Sequence, residues 1–257
     1  MKIKIERLRK LSSKLTLKEC LIIHLERSLE RKPQVRKLKK DLPYRTKVVA
    51  AVDGSNPDND FSKSYIPRLL HPRYPFNLRS AEVACFQSHR KCWQEILDQG
   101  LDAALIIEDD VDIINEEFTA AVELAMKEIK MGDLIRFPIK PREKPISKSL
   151  KPDNISIFKP TLVGLGTQAQ IVTYDAARRL LERTERFDRP IDVYLQLRWK
   201  HGVRILTLWP NGVREHSSSL GGSLIGKEKN NTDKLRRELL RPLYRAMIYS
   251  FSLIKKS

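Results

Sequence analysis

The chain has 257 residues, 41% of them hydrophobic, and a formal net charge of +17. That is enough apolar material for a sizeable core, in one fairly large α/β domain or two small ones. The opening residues, MKIKIERLRK, lack the apolar core of a signal peptide, and no stretch reaches the length of a membrane span. This predicts a cytoplasmic protein whose membrane contact, if any, is peripheral. The charge calls for an anionic partner, and nucleic acid, acidic phospholipid and a phosphorylated small molecule all satisfy it. The cysteines are Cys20, Cys85 and Cys92. On one helix Cys85 and Cys92 would lie about 10 Å apart, too far for a disulfide, which suits a reducing compartment.

Residues 1–19 are basic, with Leu8, Leu11 and Leu15 at helical spacing, and read either as a short amphipathic helix or as a solvated tail. CLIIHL at 20–25 reads as the first strand, followed by Glu26-Arg27-Ser28 and a basic helix to about Lys40. Thr46–Val52 is a second strand ending at Asp53-Gly54. Four prolines make 55–79 mostly loop. Ser80–Leu97 has helical periodicity, with Cys85, His89, Trp93 and Ile96 on one face and Ser88 beside them.

The most informative stretch is Ala103–Val111. An apolar run suited to a strand buried on both faces leads directly into Glu108, Asp109 and Asp110. Open α/β sheets place ligands at the carboxyl ends of their strands. Clustered carboxylates repel one another, so a cation among them, most simply Mg²⁺ or Mn²⁺, is one reading. The other is that the acids only stop the strand and lead into a helix.

That helix is expected from an Asn115 N-cap to about Lys130, followed by a strand at Asp133–Ile139. A long, basic, proline-rich loop covers 138–160. A strand at Gln168–Thr173, a helix at Tyr174–Arg183, a helix from Pro190 to Gly202 and a strand at Arg204–Trp209 complete the pattern. The polar segment Arg214–Ser219 and the glycines at 221 and 222 lead into a basic tail, whose apolar residues from Tyr244 to Ile254 could lie in a membrane interface or pack back on the domain. Alternating strands and helices predict a mostly parallel α/β sheet.

Three blocks, in order, resemble glycosyltransferase family 25, the lipooligosaccharide-type sugar transferases. They are LIIHLERSLERK with VVAAVDG, SAEVACFQSHRKCWQEIL with ALIIEDDV, and GTQAQIVTYDAARRLL with RPIDVYL. A late SLI at 223–225 resembles the family's Ser-x-Ile ending. The sequence departs from the family pattern at His24, Ser80 and Gln170, where Asn, Gly and Tyr are usual. The resemblance implies a GT-A-like, Rossmann-like domain over 20–225, between a basic extension at 1–19 and a basic amphipathic tail at 226–257. It also implies inverting transfer of a sugar, commonly galactose from UDP-galactose, onto a lipopolysaccharide core.

On that footing Asp110 and Glu108 are the expected ligands of Mn²⁺ or Mg²⁺, with His216 a further candidate. Asp109 is expected to hold a donor hydroxyl or to fix the turn. Asp192 matches the family's Pro-x-Asp position and is the candidate base, in a first helical turn whose dipole favours the ionised form. Arg27, Arg31, Asp53 and Gly54 follow the first two strands, where the nucleotide should lie. Ser88 and His89 are either core residues or neighbours of donor or acceptor, and Gly166, Thr167 and Gln168 are expected to line the sugar pocket. An anionic membrane surface would attract the basic segments. The rivals are a nucleic-acid-binding protein, for which no stacking positions or recognition helix stand out among the lysines, and another metal enzyme such as a nuclease.

Overall fold

A computed structural model describes residues 14–140, 143–145, 154–216 and 231–254, the last segment without side chains before residue 238. A seven-stranded sheet has the order β2-β1-β3-β7-β5-β8-β6. Its strands are β1 (Leu17–His24), β2 (Arg45–Ala50), β3 (Ala103–Glu108), β5 (Asp133–Arg136), β6 (Ser156–Phe158), β7 (Ala169–Thr173) and β8 (Arg204–Trp209). Strand β7 runs antiparallel to both its neighbours and β6 antiparallel to β8, while the other five strands point the same way. The sheet is thus mixed and mostly parallel. A separate antiparallel pair joins β4 (Val111–Ile113) to β9 (Val213–Glu215).

Alternation along the strands puts an apolar layer on each face. Leu21, Ile23, Ala104 and Ile106 meet α2 (Ser80–Asp98) and α4 (Tyr174–Arg183), through Phe86, Trp93, Ile96, Ala177 and Leu180. Cys20, Ile22, Leu105 and Ile107 meet α1 (Lys32–Asp41) and α3 (Asn115–Glu128), through Val35, Leu38, Phe118 and Val122. Because β3 is covered on both sides, it reads as an unbroken apolar run. The sheet order also makes the chain leave β1 toward β2 but leave β3 the other way. The crevice between the carboxyl ends of β1 and β3 is therefore a topological switch point, where ligands bind in open sheets.

Several expectations shift. Strand β1 begins at Leu17, inside the expected extension, because Leu17 pairs with Ala103 and Glu19 lies buried against Arg45. Asn115 is the first residue of α3 and not its cap; Ile114 holds the cap position without a side-chain hydrogen bond. The expected Pro190–Gly202 helix is two short ones, α5 (Ile191–Leu195) and α6 (Arg198–His201), and Gly202 ends the second in the left-handed region at φ 65°. Residues 1–13 of the basic segment expected at 1–19, the 217–225 segment, and residues 141–142 and 146–153 of the expected 138–160 loop lie outside the described residues.

The C-terminal stretch forms a long helix, α7 (Asn231–Ile254), that returns to the domain. Tyr244 and Ile248 join the same core as α2 and α4, and Phe251 stacks on Trp199 with ring centroids 5.6 Å apart. Its opposite side leaves Leu239, Leu243 and Ile254 in solvent. Ile248 is fully buried, so Ile248→Ala should lower the unfolding free energy by about 2–5 kcal/mol in urea titrations. A free tail would give no change.

Candidate active site

Three adjacent acids end β3, and the backbone sends them to different places. Asp109 turns into the protein, where Oδ2 meets His24 Nδ1 at 2.6 Å and Oδ1 accepts from Arg31 Nη1 at 2.7 Å. All three side chains are buried. Arg31 occupies the 3-10 turn Leu29–Arg31 just before α1, so this charge pair ties the β3 terminus to the loop after β1. Asp109 thereby fixes the turn, one of its two expected roles, and does not line the cavity.

Glu108 and Asp110 do line it. The cavity measures about 1000 Å³ and is bounded also by Cys85, by the loop 161–168, by Asp192 of α5 and by Arg241 and Arg245 of α7. Glu108 Oε1 accepts from Thr167 Oγ1 at 2.8 Å and meets His89 Nε2 at 3.1 Å. Gln170 Nε2 lies 3.1 Å from His89 Nδ1, a pairing in which Gln170 donates and His89 keeps its proton on Nε2, facing Glu108. Burial works against the charge on Glu108, but the His89 and Thr167 hydrogen bonds and the nearby Arg31 charge hold its carboxyl below the usual range.

Asp110 has no such support. Its Oδ1 is buried with no hydrogen-bond partner among the described residues. Burial first, and the Glu108 charge second, push its carboxyl up to about 7. An orphaned carboxylate oxygen beside a second, ionised carboxylate is the arrangement that a hard divalent cation relieves, and oxygen donors suit Mg²⁺ or Mn²⁺. The residues present therefore fit such an ion, with Asp110 and Glu108 as its holders.

His216 goes elsewhere. The β4–β9 pairing brings its N–H to within 2.9 Å of the Asp110 carbonyl oxygen, but its ring pairs with Asp112 at 2.7 Å. Among the described residues, the three potential ligands whose donor atoms fall within 4.8 Å of one another are Cys85, His89 and Glu108. There the thiol is held well above its ordinary pKa by burial and by the charges of Glu108, Asp192 and Asp110, and His89 is already engaged on both nitrogens. The oxygen donors of Asp110 and Glu108 suit a hard divalent cation better than this thiol and imidazole do.

Asp192 sits at the start of α5. Gly166 N–H donates to Oδ2 at 3.0 Å and Val193 N–H to Oδ1 at 2.8 Å, which fixes the carboxylate in the cavity wall. Burial raises its pKa against these two bonds. Gly166 adopts φ +95°, which favours glycine, and its carbonyl oxygen accepts from Arg136 Nη2 at 2.6 Å. Arg136 is itself buried against Glu143. The loop that presents Asp192's donor is thus braced from beneath.

Of the remaining expected residues, Gly166, Thr167 and Gln168 line this cavity, whereas Arg27, Arg31, Asp53, Gly54, Ser88 and His89 do not. Arg27 Nε meets Asp53 Oδ2 at 2.6 Å, joining the loops after β1 and β2. Asp53 also accepts from the Ser55 hydroxyl and N–H, which hold its pKa down. Gly54 serves a close approach: a Cβ there would stand 2.7 Å from the Ser80 and Ala81 backbone. Ser88 Oγ accepts from Val52 N–H and donates to the Ala84 carbonyl oxygen, pinning the end of β2 to α2. Ser88 and His89 thus support the site from behind. Sequence reasoning missed Glu82 and Cys85 as lining residues, along with the whole α7 wall; the four-residue spacing of Arg241 and Arg245, which puts both on one helical face, was the available signal.

The cavity lies at the carboxyl end of β3 in an α/β sheet, the end where open sheets of this class bind ligands. The model of glycosyltransferase family 25 (LPS biosynthesis protein) matches residues 17–195, and the chain belongs to that family. Over 201 residues, 72% of the chain, it is 27% identical to a Bos taurus protein named probable inactive glycosyltransferase 25 family member 3. Over 129 residues, 49% of the chain, it is 30% identical to procollagen galactosyltransferase 2 of Mus musculus. The chain spans 32% and 20% of the lengths of those two relatives. Among solved structures, A197 from STIV matches with a TM-score of 0.37 at 13% identity, covering 83% of this chain and 99% of that one.

The Asp110 carboxyl sets a pH signature. The folded chain binds this proton more tightly than the unfolded chain, whose carboxyl titrates near 3.8. The group therefore costs stability as pH rises from about 4 through 7. In chelator-treated protein, Asp110→Asn should melt a few degrees above wild type at pH values above 7, with the gap closing toward acid. A gap of the same size at every pH would contradict the assignment.

Proposed function

We propose that the protein is a metal-assisted, inverting glycosyltransferase that moves a sugar, most simply galactose from UDP-galactose, onto a lipooligosaccharide or lipopolysaccharide core. The observation that carries this reading is that Glu108, Asp110 and Asp192 face one cavity at the carboxyl end of the sheet. Family membership alone does not carry activity, since relatives named inactive are among those it resembles; relatives named galactosyltransferases favour the sugar.

In this reading the donor diphosphate lies against Glu108 and Asp110, and its nucleoside toward the Arg27–Asp53 pair. A bound Mn²⁺ or Mg²⁺ supplies charge to offset what gathers on the departing UDP. Thr167 and Gln168 border the transferred sugar. Arg31 and Asp109 position the acidic turn without touching the donor. Asp192 takes the proton from the acceptor hydroxyl as that oxygen attacks the anomeric carbon and the bond to the UDP oxygen breaks, which inverts the centre. Its raised pKa increases its proton affinity, while the Gly166 and Val193 bonds aim it.

Asp192→Asn should reduce transfer by at least about a hundredfold, as read by nucleotide release from a panel of UDP-, GDP- and CMP-sugars with Mn²⁺. UDP affinity should stay at the wild-type value. Loss of both would assign Asp192 a structural role.

The acceptor class suggests a place for the chain at the cytoplasmic face of a bacterial inner membrane. No helix among the described residues is long and apolar enough to cross a membrane. The outward side of α7, with Leu239 and Leu243 at 68% and 60% exposure, is the surface we assign to the lipid interface. Removing α7 would also remove Tyr244 and Ile248 from the core, so point changes are the cleaner probe. The double variant Leu239→Glu/Leu243→Glu should lose flotation with anionic liposomes while melting as wild type. Unchanged flotation would count against this face.

A further inference from the structure

Helix α7 lies beyond residues 17–195, the part matched to the family, yet it supplies a wall of the cavity through Arg241, Tyr244, Arg245 and Tyr249. Tyr74 and Phe76, from the proline-rich loop before α2, line the same side. Arg241 and Arg245 are four residues apart, so they are neighbours on one helical face. Both are exposed, and neither forms an ion pair among the described residues. By contrast Arg189, fully buried beneath them, is neutralised by Asp188 at 2.6 Å.

The aromatic part of this wall is held rigid. Arg189 Nη1 donates to the Tyr244 hydroxyl at 2.7 Å, and its Nη2 donates to the Pro72 carbonyl oxygen at 3.0 Å. One guanidinium thus ties α7 to the loop that carries Tyr74 and Phe76. Tyr74 packs edge-on against Tyr244 at 5.3 Å and against Phe76 at 5.4 Å. The Arg241 guanidinium lies 6.0 Å from the centre of the Phe76 ring. Burial, then the charges of Glu82 and Asp192, raise the Tyr74 hydroxyl pKa, and Arg241 opposes them. Tyr74 is therefore close enough to both Asp192 and Arg241 to feel each charge.

We propose that Arg241 and Arg245, set beside Tyr74, Phe76, Tyr244 and Tyr249, form a subsite for an acceptor sugar that carries an anionic group. The inference rests on the sugar-transfer reading of the cavity. Tyr74, Phe76 and Tyr249, part-exposed in this wall, offer the apolar side of a pyranose ring a surface, with the buried Tyr244 packed behind Tyr74. Two guanidiniums one turn apart can fork onto a phosphate or a carboxylate. In the sugar-transfer reading the donor is assigned to the acidic turn of β3, so the arginines that line the cavity from α7 are assigned to the acceptor. The donor diphosphate would be met at the acidic turn by the divalent cation that Glu108 and Asp110 would hold.

The test measures binding of glucose, glucose 6-phosphate and glucuronic acid to UDP-loaded protein by isothermal titration, for wild type and for Arg241→Gln/Arg245→Gln. Wild type should bind at least one anionic sugar about tenfold or more tightly than glucose. The two anionic probes tell phosphate from carboxylate. The double variant should lose that preference and keep wild-type affinity for glucose and UDP. Arg241→Lys/Arg245→Lys, which keeps the charge but not the fork, should fall between. Equal binding of all three sugars by wild type, or no saturable binding of either anionic one, would overturn the proposal. So would a variant whose UDP affinity falls along with its sugar affinity, since the arginines would then serve the donor. A wild type that binds anionic sugars but releases no nucleotide from any donor would instead sink the transferase reading and leave the subsite standing.

Discussion

The structure depends on what happens to the middle acid of the Glu108-Asp109-Asp110 run. Three adjacent carboxylates at one strand end repel one another, and a protein interior charges heavily for each one left unpaired. The chain resolves this by turning Asp109 inward to Arg31 and His24, where two short contacts neutralise it. Removing either partner from such a buried pair is costly, on the order of 3–5 kcal/mol. With Asp109 committed to holding the turn, Glu108 and Asp110 are left facing the cavity. One is stabilised as an anion by His89 and Thr167, and the other is left with an orphaned oxygen. Two carboxylates with opposite pKa shifts, from the same three-residue run, are a division of labour set by environment.

The other half of the site is built by a different principle. Asp192 receives both its hydrogen bonds from backbone N–H groups, one in its own helix and one in the loop at Gly166. That loop is held by the buried Arg136–Glu143 pair, with Glu143 also accepting from Gly164 N–H. The candidate base is thus aimed by groups that cannot titrate, and the Arg136 and Glu143 charges that brace its loop are paired with each other. Its orientation should depend little on whether a ligand fills the cavity.

Much of this could be read from the residues, and the misses have physical causes. The strand at Ala103–Glu108 declared itself because burial on both faces demands an unbroken apolar run, and Tyr174–Arg183 and Arg204–Trp209 were legible to the residue from periodicity. Glu108 and Asp110 on one side with Asp109 opposite follows from strand alternation. Arg31 was harder: in sequence it is one basic residue among many, and only the tertiary fold shows that its charge is buried. His216 was expected as a further metal ligand; its backbone N–H meets the Asp110 carbonyl oxygen, but its ring is paired with Asp112, a partner the sequence order gives no means to choose. The C-terminal helix was hardest of all. Apolar residues on two opposite sides of one helix give two equally good stories, core and membrane, and periodicity cannot say which side meets the domain.

That two-sidedness also explains how the cavity is assembled. Six of the seven strands of the sheet, the acidic turn and Asp192 fall within the part matched to the family, and in the proposed reading they handle chemistry that does not depend on which molecule receives the sugar. The α7 wall falls outside that part and is attached through a few strong anchors: Ile248 in the core, Phe251 on Trp199, and Arg189 holding Tyr244. Anchors of this kind fix the position of a helix while leaving its cavity-facing residues free to vary. Arg241 and Arg245 are exposed, whereas Asp110 and Asp192 lie in the cavity with pKa values raised by burial, so changing them alters the charge balance of the proposed reaction centre. If the proposed subsite holds, a chain built this way could keep one transfer chemistry and change its acceptor by exchanging the cavity-facing residues of a single helix.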